Sequence, residues 1–321
     1  MPADGLSLRP LGSSGIEVSV LSLGSWRTFE RIPAQTGIAI LRAARDQGIN
    51  FFDDARYNDE TGRAAMPTGY SEVLFGQLFR GAGVPREEAV VSNKLWWEFW
   101  PEQSAAAELD ASLGRMGFDY VDLIYANPPP PGLDVADLVA AVGGLVASGK
   151  ARAWGIVNWT ADDTRRAVAA AAALGIAPPC AAQLPYSLVR RSWVEDPAMT
   201  EALNAPGVGG IIASFCLAGG VLTGKYQSGS GAGRAAGTLA EPRYAAAAAA
   251  AGNLDRLAGR LATTAAALAL AFPLTNPAVT SVLFGATSPE QLRANCAAAA
   301  LRDRLTPQEA AELRRVGQPG D

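Results

Sequence analysis

Three neighbouring stretches decide the fold: Ala89-Val90-Val91-Ser92-Asn93-Lys94, residues 101–115, and Tyr120-Val121-Asp122-Leu123-Ile124-Tyr125. The first and third are short apolar runs rich in β-branched residues, the mark of buried strands. Between them Ala105, Leu109 and Leu113 recur every four residues, laying an apolar stripe along a helix, and Pro101 stands at its expected start. Strand, helix, strand in this order is the unit of a parallel sheet with crossover helices.

The alternation continues in both directions. Val18-Ser19-Val20-Leu21-Ser22-Leu23-Gly24 and Asn50-Phe51-Phe52-Asp53 read as strands, with a helix over 36–47 that Gly48 stops and another over 71–79. Downstream, helices are expected over 134–147, 160–174 (Thr160 as N-cap), about 199–203, 252–272 and 289–300. Strands fall between them at 153–157, 180–183, 210–214 and 280–284. The alanine run 245–251 reads as a helical start, since alanine is the best helix former. About eight strand–helix units over 321 residues favour a closed (β/α)8 TIM barrel over an open doubly wound sheet. No Gly-x-Gly-x-x-Gly follows the first strand. The expectation is α/β, one barrel domain over 1–321. The irregular stretches 57–69 and 227–244 each follow a strand, which sets them over the carboxyl-end face.

Composition narrows the function. Hydrophobic residues are 49% and charged residues 18%, enough to bury a large core. With 27 Lys+Arg against 31 Asp+Glu the net charge is −4, which argues against a nucleic-acid partner. The first four residues have neither the basic flank nor the apolar core of a signal peptide, and no uninterrupted apolar stretch is long enough for a bilayer. Cys180, Cys216 and Cys296 are sparse, odd in number and without metal-ligand spacing, which fits a reducing cytoplasm. The chain has no histidine, so His catalysis, Ser-His pairs and His-ligated metals are excluded, and no metal is expected. The expected partner is a small-molecule substrate, with no membrane and no nucleic acid; the oligomeric state stays open.

On a barrel the chemistry sits at the carboxyl ends of the strands. Reading those ends gives Gly24-Ser25-Trp26, Asp53 to Tyr57, Lys94-Leu95-Trp96, Asn127, Asn158-Trp159, Gln183, Ser214-Phe215-Cys216 and Gly285-Ala286-Thr287. Ordered motifs lie around them: Ile49-Asn50-Phe51-Phe52-Asp53, Val90-Val91-Ser92-Asn93-Lys94, Ser112 to Leu123, Gly149 to Ile156, Leu222-Thr223-Gly224-Lys225-Tyr226, and Gly285-Ala286 followed by Pro289-Glu290-Gln291-Leu292. On these the chain resembles the aldo-keto reductase family, more closely its potassium-channel β-subunit branch, from about residue 8 to residue 295.

That resemblance implies a (β/α)8 barrel, hydride transfer from NADPH (NADH remaining possible) and a tetrad of Asp, Tyr, Lys and His. A carbonyl that accepts hydride needs a proton, and a Tyr beside Lys⁺ can give it. Asp53 and Lys94 match the Asp and Lys. Tyr57 is the nearest match to the Tyr but stands one residue early, with Tyr70 as the fallback. Asn127 occupies the His position. An amide donates a hydrogen bond but no net proton, so a carbonyl, an imine and a conjugated alkene all stay open as substrates. Asn158 and Gln183 match the nicotinamide-binding side chains, with Val157 where a Ser is usual. The stacking aromatic falls on Ser214, with Phe215 beside it, able to stack only in a shifted strand register. Leu217, Gly219 and Gly220 match a pyrophosphate loop, and Lys225 a nearby positive charge. Gly285, Thr287, Gln291 and Asn295 match the adenosine-phosphate end, where Arg293 is close by and Ala294 replaces a Glu. Ser288 to Gln291 also reads as a capping box. Trp26 and Trp96 are expected to line the substrate pocket, within an aromatic set including Trp97 and Trp100. Arg27 and Arg56 are candidates for charge at its mouth. The alternative reading is a low-turnover, redox-responsive nicotinamide-binding partner protein.

Overall fold

The computed structural model describes residues 5–58, 61–62, 64–66, 68–205, 207–226, 235 and 237–317. The chain begins with an antiparallel hairpin of β1 (Leu8–Pro10) and β2 (Glu17–Ser19). Eight parallel strands then close into a barrel: β3 (Leu21–Gly24), β4 (Phe51–Asp53), β5 (Val90–Leu95), β6 (Val121–Ala126), β7 (Ala151–Val157), β8 (Ala181–Pro185), β9 (Gly210–Ser214) and β10 (Val279–Phe284). They pair in chain order, and β10 returns to β3. This is the expected (β/α)8 barrel.

Two apolar layers hold it together. The interior cluster joins Phe51, Leu123, Tyr125 and Ile212 from the strands to Leu11, Ile16 and Val18 of the hairpin, which plugs the amino end. The outer cluster packs the other strand faces against the helices. These are α1 (Ala34–Asp46), α2 (Tyr70–Ala82), α3 (Ala105–Met116), α4 (Val135–Ala147), α5 (Ala161–Leu174), α6 (Ser192–Glu195), α7 (Pro197–Leu203), α8 (Pro242–Arg260), α9 (Ala265–Leu274), α10 (Pro289–Arg304) and α11 (Pro307–Val316). Thr160 caps α5 by accepting from Asp163 N, as its sequence position suggests.

Three expected boundaries are corrected. The apolar run 18–24 is two strands, because Val18 pairs with Arg9 in the hairpin and Ser19 Oγ donates to Leu21 O at 2.7 Å across the bend. The helix expected from Pro101 starts at Ala105, since Ser104 takes the cap and accepts from Ala107 N. The stretch 252–272 is broken: α8 runs from Pro242 to Arg260, Ala262 turns left-handed, and Thr264 caps α9. The alanine run lies inside α8. The hairpin strand β1 and helix α11, with its Thr306–Glu309 capping box, lie outside the expected elements.

Among the described residues no single helix is long and apolar enough to cross a membrane. The α8–α9 pair passes on length and composition together, but it bends by 96° and every residue of α9 except Ala266 is buried. The three cysteines are free and buried. The first four residues, and most of 227–236, lie outside the described residues.

Candidate active site

The carboxyl ends of the strands surround a pocket of about 680 Å³. Its floor is a buried ion pair. Asp53 is the last residue of β4 and pairs in register with Ser92, which places Lys94 two residues further along β5 on the same face. Lys94 Nζ donates to Asp53 Oδ2 at 2.6 Å, with side-chain exposures of 3% and 2%. Ser92 Oγ and Gln183 Nε2 donate to the other Asp53 oxygen at 2.7 and 3.0 Å. A buried carboxylate needs such full pairing to remain tolerable.

Lys94 Nζ also donates to Tyr57 Oη at 3.0 Å. The early position of Tyr57 is compensated by a tight turn: its N–H donates to Ala55 O at 2.8 Å and to Ser71 Oγ at 3.0 Å, while Ser71 Oγ donates to Ala55 O at 2.6 Å. Tyr70 opens α2, packs against the outer core and is not among the pocket residues.

The charges around this group oppose one another. Burial works against the Lys94 ammonium, but Asp53 and then Tyr57 outweigh it and hold Lys94 above its ordinary range. Burial pushes the Tyr57 phenol up, with Lys94 pulling against it and Asp53 adding to the rise. The net direction for the phenol is upward, because burial outweighs the lowering that Lys94 exerts. Beside the pair, Asp54 is wholly buried. One of its oxygens meets Ser25 Oγ and the other has no partner. Burial first, then Glu72, pushes its carboxyl well above the usual range.

Asn127 follows β6 and lines the pocket, but its amide is partly committed. Nδ2 donates to Leu95 O at 3.0 Å, and the backbone carbonyl accepts from Trp97 Nε1 at 3.1 Å. Trp26 and Trp96 both line the pocket and flank the Tyr57 ring, with centroids 6.3 and 5.8 Å away. Trp97 is core instead, and Trp159 likewise, its Nε1 donating to Ala126 O.

Arg27 lines the mouth, but Arg56 does not reach it. The Arg56 side chain is 3% exposed, 2.7 Å from Glu98 and 3.9 Å from Glu108. Glu108, which the sequence reading passed over, accepts from Trp96 N at 2.7 Å and Trp97 N at 3.2 Å, so α3 holds the aromatic loop in place. A Glu in the first turn of a helix gives no sequence signal for this, because it also reads as a solvated residue complementing the helix dipole.

The rest of the pocket is built by β7 to β10. Val157, Asn158 and Gln183 line one part of it, and Ser214, Phe215 and Leu217 the next. Gln183 gives one amide hydrogen to Asp53, and Asn158 takes a left-handed φ of +59°. Gly219, Gly220 and Lys225 follow. The two glycines have φ +68° and +90°, and a Cβ at Gly220 would lie 3.1 Å from Lys225 Nζ. Only glycine keeps this concave stretch of backbone beside a cation open, and such a stretch suits a phosphate.

Gly285, Thr287 and Gln291 complete the wall. Gln291 Oε1 accepts from Thr287 N and Oγ1 at 2.7 and 3.1 Å. Ser288 caps α10 by accepting from Gln291 N, but the Gln291 side chain turns to Thr287, so the expected box is not reciprocal. Two expected positions are not brought to the pocket. Arg293 is exposed and faces Glu290 at 3.9 Å. Asn295 is 3% exposed under α10, with Nδ2 lacking a partner.

The comparisons agree with this fold. The profile of the Aldo/keto reductase family matches residues 20–318, so the chain belongs to that family. It is 31% identical over 317 residues to a probable voltage-gated potassium channel subunit beta of Arabidopsis thaliana, covering 94% of each chain. A protein of the same description from Oryza sativa subsp. japonica is 31% identical over 340 aligned positions, covering 98% of this chain and 97% of its own. A putative voltage-gated potassium channel subunit beta of Schizosaccharomyces pombe is 31% identical over 319 residues, covering 94% and 90%.

Proposed function

We propose that this protein is an NADPH-dependent oxidoreductase that reduces a small organic carbonyl, imine or conjugated alkene. The observation that carries this reading is the line Tyr57 Oη–Lys94 Nζ–Asp53 Oδ2, at 3.0 and 2.6 Å, on the floor of an aromatic-walled pocket. When bound, the reduced nicotinamide supplies hydride. Tyr57 holds the proton for the developing oxyanion at its Oη. Lys94, kept charged by Asp53, stabilises the phenolate left behind. Asn127 offers the substrate oxygen its remaining amide hydrogen.

Asn158 and Gln183 would orient the nicotinamide, and Leu217, Gly219, Gly220 and Lys225 would hold the pyrophosphate. Gly285, Thr287 and Gln291 would serve the adenosine end, which the buried Asn295 does not reach. Arg293 lies away from the pocket and pairs with Glu290, so preference for the 2′-phosphate rests on Thr287 and Gln291, and NADH remains an acceptable donor. Composition and the reduced cysteines suit a cytoplasmic protein.

A second reading, a low-turnover redox-responsive partner protein, is favoured by the Asn127 amide being committed to Leu95 O and by the channel-subunit description of the relatives. Cofactor oxidation from NADPH and NADH, followed by absorbance against aldehydes, cyclic imines and enones, separates the two. Turnover on any class supports the enzyme. Cofactor binding without turnover on the whole panel supports the partner protein.

A further inference from the structure

Successive side chains of a strand point to opposite faces. Strand β9 ends on Ser214, which lines the pocket, and Ile212, two residues earlier, packs inside the barrel. An extended Phe215 would therefore point outward to the helical layer. Instead its φ is +54°, a left-handed value that side chains with a Cβ disfavour. The shifted register that would let Phe215 stack is absent, since Ser214 pairs with Pro185 at the strand end; this turn re-aims the ring instead. Left-handed residues also follow β3, β5 and β7, where Arg27, Trp97 and Asn158 have φ of +53°, +59° and +59°.

The re-aimed ring lines the pocket and meets Trp26 across it, centroids 5.2 Å apart and planes at 65°. It stays 44% exposed. A large apolar ring that is half open to water in a disfavoured backbone conformation is costly to the protein alone. A flat ligand against the ring offsets that cost, and backbone strain of this kind gathers at ligand clamps. Phe215 also lies in the chain between the Gln183 strand and the Gly219–Gly220 loop, the two ends of the nicotinamide–pyrophosphate path.

We propose that Phe215 and Trp26 form an aromatic clasp over the dinucleotide, with Phe215 supplying the ring that Ser214 does not. The proposal rests on the nicotinamide-binding reading above and specifies which residues cover the cofactor. For binding to proceed the rings must part, so the clasp acts mainly on release.

The test is titration and displacement followed by the fluorescence of NADPH itself, on the parent, Phe215→Gly and Phe215→Trp. Glycine keeps the left-handed backbone and removes the ring. It is expected to weaken binding about tenfold, mostly through faster release. Tryptophan is expected to restore both. A glycine variant that binds and releases NADPH as the parent does overturns the clasp, as does weakening that appears only with loss of the barrel's circular dichroism. A parent that binds neither NADPH nor NADH removes the nicotinamide reading itself, and the clasp with it.

Discussion

The Tyr57 hydroxyl lies 3.0 Å from Lys94 Nζ although only three residues separate Tyr57 from Asp53, the last residue of its strand. The tight turn at Ala55 and the Ser71 hydroxyl make that reach possible. Tyr57→Phe is therefore expected to lower kcat for aldehydes by about 10²–10⁴, the usual range for a lost general acid. Cyclic iminium substrates should lose far less, because the product amine needs no proton from the enzyme. Lys94→Met should lower kcat for both classes and also destabilise the fold, since it leaves Asp53 buried without its cation. Steady-state kinetics on the two classes, with melting curves, check both variants.

Asp54 gives a stability prediction with a definite sign. Its carboxyl is held above the usual range in the folded protein by burial and then by Glu72. The unfolded chain releases this proton near the ordinary Asp value of about 3.9, while the folded protein keeps it to higher pH. Over that window the unfolded state binds fewer protons, so the contribution of Asp54 to stability falls as pH rises. Asp54→Asn has no proton to lose. Its melting temperature should match the parent near pH 4 and exceed it increasingly toward neutral pH. A difference that does not change with pH contradicts this.

Glu108 joins three parts of the wall: it accepts from Trp96 and Trp97 and lies 3.9 Å from Arg56, the neighbour of Tyr57. Glu108→Ala removes two buried acceptor contacts and should cost about 2 kcal/mol or more. Freed from that anchor, Trp96 should raise KM for aromatic substrates severalfold while NADPH affinity stays near the parent value, because the proposed dinucleotide side lies on β7 to β10. Glu108→Gln, which keeps an acceptor, should recover most of the KM.

The strands are legible in the sequence because each is a short, mostly apolar run ended by a turn or a helix start, and the barrel follows from counting them. The boundaries fail where burial is continuous across a break. Val18 and Leu21 are both buried, so nothing in the residue types marks the bend between hairpin and barrel. The strand-end positions of Asp53, Lys94, Asn127, Asn158 and Gln183 are legible for the same reason as the strands. The contacts of Arg56 and Glu108 are not, because their burial comes from the loops after β4 and β5 meeting the first turn of α3. The reach of Tyr57 and the aim of Phe215 depend on backbone turns stabilised by tertiary contacts, which residue types alone do not reveal.

Asn127 is the position where the chemistry of this pocket can be changed most simply. Its backbone bonds to Leu95 and Trp97 do not depend on the side chain, so a histidine can be seated at the same strand end. The present amide gives one hydrogen to Leu95 O and has no proton to lose or gain near neutral pH. A group that can carry positive charge stabilises a developing oxyanion better than a neutral amide, and a single such donor is worth about 10²–10³ in rate. Asn127→His should therefore raise kcat/KM for simple aldehydes by at least about tenfold. It should also introduce a fall in rate on the alkaline side of the ordinary His value near 6.5, a limb the histidine-free parent lacks. Cyclic iminium substrates carry their own charge and should gain little. Aldehyde kinetics identical in parent and variant across the pH range would show that the residue at this strand end does not set the substrate class.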